Sequence, residues 1–475
     1  MARPSDAATR VLLTTELLPF VAEYQHGVFT DMLIFRKLRL PHFRNGNAMD
    51  ADDRFVLERI DSLLGPWYSA HGLSRLNLLL CFYDDMFDIV LLHAAYFGHL
   101  CVLRNVRAPH SKRAYRGIPL IYLAAANGQL DVFTFLHEKY PVGSFAIAMR
   151  WAAASGHLSL VQWMVQKRLL PASSVAKDAA AENGHLDVLE WLYRNQRGGC
   201  SLWAMKKAAA NGHLHILDWL HHNTTAKCTT HAMDEAARNG HLDVLEWLHT
   251  HRTEGATDAS LHYAAEHGHV DVVVWLLTHQ PPTEKSALDM EAAAHNGHLQ
   301  VVQVLHDHDW PSSKQAMDRA AAGGHLQVLQ WLQTHRTEGC TTSAMDDAAR
   351  EGHLDVVQWL HRHYPSVGCS TDAMDWAAVR GHMEIVLWLH RHRQEGCSDR
   401  GLLCAVQSGR LEIVQWFCRH RKEFGRKRMK REAAIQARRQ GHIAIAQYLE
   451  NDVQEECHCS NCVATRMTQP ECIIL

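Results

Sequence analysis

No run of about 18 consecutive apolar residues, the length a membrane-crossing helix needs, occurs in the 475-residue chain. The best stretch, Leu76 to Leu92, is broken by Asp84, Asp85 and Asp88. The first twenty residues lack a secretory pattern, because Thr14, Thr15 and Glu16 cut their apolar run. The expectation is an unexported chain whose 13 cysteines are reduced thiols in a cytosolic or nuclear compartment. Charge of one sign is also missing: 48 Lys and Arg stand against 51 Asp and Glu, a net charge of −3. That balance excludes a generally basic nucleic-acid coat and an acidic disordered tail. Enzyme signatures are absent as well, with no GxxxxGK, HExxH or GxSxG pattern, so no catalytic residue, cofactor or metal is expected.

What the chain has in excess is histidine, 36 residues, and tryptophan, 14 residues. Their positions follow a repeat. A turn glycine recurs at Gly98, Gly128, Gly156, Gly184, Gly212, Gly240, Gly268, Gly297, Gly324, Gly352, Gly381, Gly409 and Gly441. Most intervals are 28 residues, the rest between 27 and 32. In the unit Ala232 to Thr250, Ala232, Met233, Ala236 and Ala237 make a one-sided stripe before the glycine, the spacing of a short helix. Asn239-Gly240 stops it, because glycine takes the left-handed backbone without a Cβ penalty. Leu242, Val244, Leu245, Trp247 and Leu248 then mark a longer second helix. Neither helix can bury its stripe alone, so successive pairs must stack.

These units resemble the ankyrin repeat family, whose A-A-x-x-G-H-x-x-V-V-x-x-L-L pattern stands here as Ala348-Ala349-Arg350-Glu351-Gly352-His353-Leu354-Asp355-Val356-Val357-Gln358-Trp359-Leu360. Two features depart from the family. Its T-P-L-H segment is replaced by forms such as Ser343-Ala344-Met345-Asp346, which leaves open which hydrogen bonds take over. The period is also about five residues short of the usual 33, the length of the projecting hairpin. The expected fold is therefore all-α: a solenoid of about 13 stacked helix pairs with short loops over residues 88–450. A helical cap at 1–87 precedes it, including Leu12 to Tyr24 and Asp53 to Leu64, and a disordered tail at 451–475 follows.

The repeat register accounts for much of the unusual composition. Eleven histidines directly follow the turn glycine, a slot in which the resemblance implies a structural residue bonded to backbone near the turn. Equivalent positions lie about 8–10 Å apart in stacked pairs, too far to share a metal ion. Other histidines, such as His361 and His363, fall at the end of the second helix and are expected to be solvated. Nine tryptophans fall seven residues after the glycine, which predicts a packing ladder between repeats. Cys200, Cys228, Cys340, Cys369 and Cys397 share a column with Ala256 and Ser144, so size selects them, and they are too far apart for disulfides.

Binding in such an array should use the positions that vary. Five residues before the glycine the column reads Trp151, Ala179, Lys207, Glu235, Tyr263, Ala292, Arg319, Asp347 and Trp376, with Arg238, Glu266, His295 and Arg350 three residues along the same side. Aromatics and arginine amid mixed charge suit a protein ligand on the first-helix face, and Trp151, Lys207, Glu235, Tyr263, Arg319, Asp347 and Trp376 are its expected contacts. The chain is expected to be a monomer that does not read nucleic acid, since no nucleic-acid module is present.

The ends carry different chemistry. Cys472-Ile473-Ile474-Leu475 resembles the C-a-a-X prenylation box, with leucine favouring a geranylgeranyl group on Cys472. One lipid gives marginal membrane residence, and Cys457, Cys459 and Cys462 are candidates for a second, palmitoyl anchor, with a four-cysteine zinc site as the weaker alternative. The resulting expectation is a non-enzymatic adaptor tethered to a cytoplasmic membrane face. Two alternatives stand beside it. Leu17-Leu18-Pro19-Phe20-Val21 is similar to the start of an F-box, which implies a soluble ubiquitin-ligase substrate receptor. The basic run 426–431, with Lys427-Arg428-Met429-Lys430-Arg431, resembles a nuclear localisation signal, which implies a nuclear regulator.

Overall fold

A computed structural model describes residues 24–25, 28–38, 51–83, 85–106, 120–139, 144–167, 174–225, 228–398, 400–420 and 427–455. Near the start, β1 (Tyr24–Gln25) pairs antiparallel with β2 (Val28–Phe29), so Tyr24 is extended rather than the end of a helix. A 3-10 segment (Thr30–Lys37) follows, then α1 (Ala51–His71) and α2 (Leu76–Phe82), with α1 containing the expected helix at 53–64. Thirteen helix pairs come next, from α3 (Met86–Phe97) with α4 (Leu100–Asn105) to Lys427–Arg439 with Ile443–Glu455. The chain divides into two compact units, residues 1–232 with 246–254 and residues 233–245 with 255–475. Within each, the first helix of one pair packs on the first helix of the next. No helix among the described residues is long and apolar enough to cross a membrane.

Local chemistry explains each pair. In the pair Thr342–Glu351 and Leu354–His363, Ala344, Met345, Ala348 and Ala349 are buried on one side, and Val356, Val357 and Leu360 on the other. The small residues allow close helix approach. Gly352 ends the first helix at φ 95°, where its own N–H and that of His353 both reach the Ala348 carbonyl, at 3.1 and 2.9 Å. The following imidazole then works across repeats. His157, His185, His269, His298 and His442 each donate Nε2–H to a carbonyl of the preceding pair, on Ala126, Ala154, Arg238, Glu266 and Gln407, at 2.9–3.1 Å. The same rings lie against the preceding turn glycine: a Cβ on Gly268 would sit 2.4 Å from His298 Nδ1. Glycine is thus required twice, by backbone conformation and by its neighbour's imidazole.

A second bond joins the pairs at the opposite end of the first helix. In several pairs an aspartate six residues before the turn glycine accepts from the Ser or Thr that opens the next first helix. Asp318 takes the Thr341 N–H at 2.8 Å and its hydroxyl at 2.7 Å, and Asp178 holds Ser201 in the same way at 3.0 and 2.6 Å. Asp234 with Thr257 and Asp375 with Ser398 repeat the arrangement. Thr341 also accepts from the Ser343 N–H at 3.2 Å, so one hydroxyl caps its helix and ties it to the previous repeat. These bonds occupy the place that the T-P-L-H segment left open. Burial raises the Asp318 carboxyl, and the two bonds from Thr341 pull it back.

Asp318→Ala is expected to cost about 1–3 kcal/mol in urea unfolding, because it removes the partner of a half-buried N–H and hydroxyl. Thr341→Val should cost a similar amount, and the double variant clearly less than the sum of the two. Additive costs would show that the two groups do not act as a pair.

Candidate functional site

Most of the chemically distinctive side chains are absorbed by packing. Trp331 and Trp388 lie on the second-helix face, each with a histidine one turn later stacked on its ring. His335 is 4.3 Å from Trp331 at 9°, and His392 is 4.5 Å from Trp388 at 16°. The preceding repeat supplies a histidine edge-on, His306 to Trp331 at 5.2 Å and His361 to Trp388 at 5.1 Å. The histidines expected to be merely solvated at helix ends are therefore aromatic partners: His361 meets Trp388, and His363 stacks on Trp359 at 4.6 Å. The cysteine column is equally inert. Burial pushes the Cys200, Cys340 and Cys369 thiols up to about 11, far from the thiolate that reacts or binds metal.

The first-helix face is different, because most of its variable column stays accessible beside buried positions, the exceptions being Ala179, Ala292 and Trp151. Lys207, Glu235, Tyr263 and Asp347 are half-buried, and Arg319 and Trp376 are exposed. Helix periodicity sets this, since the column lies opposite the Ala-Met and Ala-Ala stripe. Several members bridge to neighbouring repeats. Lys207 Nζ is 2.9 Å from Glu182, Arg319 is 3.5 Å from Glu291, and Arg238 lies 3.7 Å over the Tyr263 ring. Asp347 pairs with Arg350 at 2.9 Å, and Arg350 also holds Glu351, which reaches Arg380. The result in each unit is a face of self-paired charges, and on that of the second unit Trp376 remains 45% exposed.

Trp151 does not belong to that exposed set. It is 3% exposed, with its ring 5.9 Å from Tyr122, and it walls a cleft of about 130 Å³ with Arg54, Arg150, Glu182 and Asn183. Its indole cannot be the surface anchor expected from its column; the preceding repeat covers it. Conversely, the sequence reading passed over Leu202, Trp203 and Leu288, in the first turns of their helices, which are exposed, Trp203 by 58%. The available signal was that Trp203 is one of the few tryptophans outside the ladder column.

The basic run divides between surface and interior. Lys430 is 1% exposed and pairs with Asp452 at 2.7 Å, whereas Arg428 is exposed beside Glu432 at 3.1 Å, and Arg431 is exposed. Arg438, standing where other repeats place a small residue, grips Glu450 at 2.8 and 2.7 Å. Residues 17–21 of the F-box-like segment and Cys457, Cys459, Cys462 and Cys472 lie outside the described residues.

Part of the repeat array matches family models. Residues 205–289 match a family model for ankyrin repeats in three copies, and residues 290–333, 345–390 and 374–417 match one for ankyrin repeats in many copies. No curated protein matches the chain. Among solved structures, the human ASB11 ankyrin repeat domain aligns at 19% identity, over 40% of this chain and 97% of that chain, with a TM-score of 0.32.

Proposed function

From the ankyrin repeats that make up residues 205–333 and 345–417, we propose a non-enzymatic scaffold that holds a protein ligand on its first-helix face. One observation carries this reading. The column five residues before the turn glycine changes chemistry from repeat to repeat, through Lys207, Glu235, Tyr263, Arg319, Asp347 and Trp376, while the buried stripe around it stays small or apolar, Ala and Met in most of these repeats and Ser260, Leu261 and two Ala beside Tyr263. A constant scaffold under variable, accessible side chains is what selective recognition requires. Trp376 and Tyr263, flanked by paired charges, are the expected anchors. Capture with the full chain should lose its partner about tenfold when Tyr263 and Trp376 are both changed to Ala, a loss of about 1.4 kcal/mol. Changing Arg391 and His392 to Ala, on a second helix, should leave capture intact. Equal recovery by all three baits would remove the face from consideration.

The second part of the proposal is placement. Geranylgeranylation of Cys472, with palmitoylation among Cys457, Cys459 and Cys462 as the second anchor, would hold the scaffold at a cytoplasmic membrane surface and raise the local concentration of its ligand there. Metabolic labelling with an alkyne-bearing geranylgeranyl donor should mark the wild type and move it to the membrane fraction, and Cys472→Ser should abolish both. Equal labelling and equal distribution would sink the tether. Ligase subunits recovered only with residues 12–24 present, or nuclear accumulation lost on changing Lys427 and Arg428, would favour the F-box or the nuclear alternative instead.

A further inference from the structure

One cluster in the first unit stands outside the repeat's bookkeeping. Asp61 on α1 reaches His93 near the end of α3, with Oδ1 2.9 Å from Nε2. The His93 side chain is fully buried, and its Nδ1 has no hydrogen-bond partner among the described residues. His99, at the start of α4, stacks on His93 with centroids 5.1 Å apart. It is the first member of the column whose later members give Nε2–H to a carbonyl 31 or so residues upstream. At that distance from His99 stands Tyr68, in α1, which closes no repeat turn. No hydrogen bond of the His99 ring is found among the described residues. The Tyr68 ring instead packs 5.5 Å from His99 and 5.6 Å from His93, and its buried hydroxyl is also unpartnered. Several unpaired polar groups converge at one point, whereas buried polar groups are normally satisfied by protein, water or an ion.

One ligand atom from each of Asp61, His93 and His99 lies within 4.8 Å of the other two. Two imidazoles and a carboxylate are a ligand set for a borderline divalent metal, and zinc sites of this kind keep a fourth position for water. We propose that Asp61, His93 and His99 bind one divalent transition-metal ion, of which zinc is the representative, and that this ion clamps α1 onto the first repeat. Tetrahedral zinc with bonds of about 2.0–2.1 Å places its ligand atoms about 3.3 Å apart, so the widest separation closes by up to about 1.5 Å while the Asp61–His93 pair opens slightly. Turn histidines of stacked repeats lie too far apart to share an ion, but His93 is outside that column and Asp61 comes from α1. Metal binding then appears as stability of α1, since one ligand comes from α1 and the other two from the first helix pair.

The test uses the full chain with Cys457, Cys459, Cys462 and Cys472 changed to Ser, which removes the tail thiols as ligands. After chelator treatment it is titrated with zinc in competition with a chromophoric chelator and compared with Asp61→Asn and His99→Gln, both partly exposed positions. One equivalent should bind at least tenfold more tightly in the parent than in either variant. Amide hydrogen exchange of α1 should slow on adding zinc to the parent alone, while exchange in the helices of the second unit shows that each variant is folded. No competitive uptake by the parent (a site for water only), or equal affinity in all three proteins, would overturn the proposal.

Discussion

Each repeat is joined to the next through a glycine that has no side chain where an imidazole must lie. The His298 ring rests against Gly268 and sends its Nε2–H to the Glu266 carbonyl at 3.1 Å, so one side chain reads both the conformation and the bareness of the preceding turn. A Cβ there would be strained at φ 79° and would also collide with the ring. The two residues recur together because neither keeps its role without the other. Where the chain departs from the pair, the replacement still reaches back: Gln129 lies against Gly98, and Arg410 lies against Gly381 while reaching toward the Val379 carbonyl.

The aspartate-to-cap bond closes the other end of the same helix, so the first helices that carry the aspartate are tied to the next repeat near both ends. Between these ties only small side chains fit, which is why alanine dominates the buried stripe. The face turned away from that stripe is relieved of structural duty, and its charges can vary so long as they find partners across repeats, as Lys207 does with Glu182 and Arg319 with Glu291. Recognition chemistry and fold chemistry are thus carried by different columns of one helix.

Period and helix faces were legible because glycine, the alanine pair and tryptophan recur at fixed offsets, and hydrophobic spacing converts directly into buried stripes. Pairings between repeats were much less legible. Asp318 and Thr341 are 23 residues apart, and nothing local marks them as partners. The burial of Trp151 follows from Tyr122 in the preceding repeat, so membership of an exposed column could not reveal it. The Asp61, His93 and His99 cluster was hidden for the same reason, since α1 has no repeat register from which its packing could be inferred. Stacked histidines beside the tryptophans were half visible: the four-residue spacing of Trp331 and His335 is plain, but the edge-on His306 comes from another repeat.

The most direct measurement of the glycine–imidazole constraint is a double-mutant cycle on Gly268→Ala and His298→Ala, read by equilibrium urea unfolding of the full chain. Gly268→Ala alone should lose both the backbone preference and the fit of the ring. In the His298→Ala background it should lose only the backbone preference, about 1–2 kcal/mol. The predicted coupling is on the order of 1 kcal/mol or more, with the second substitution costing less after the first. Costs that add to within about 0.5 kcal/mol would contradict the account.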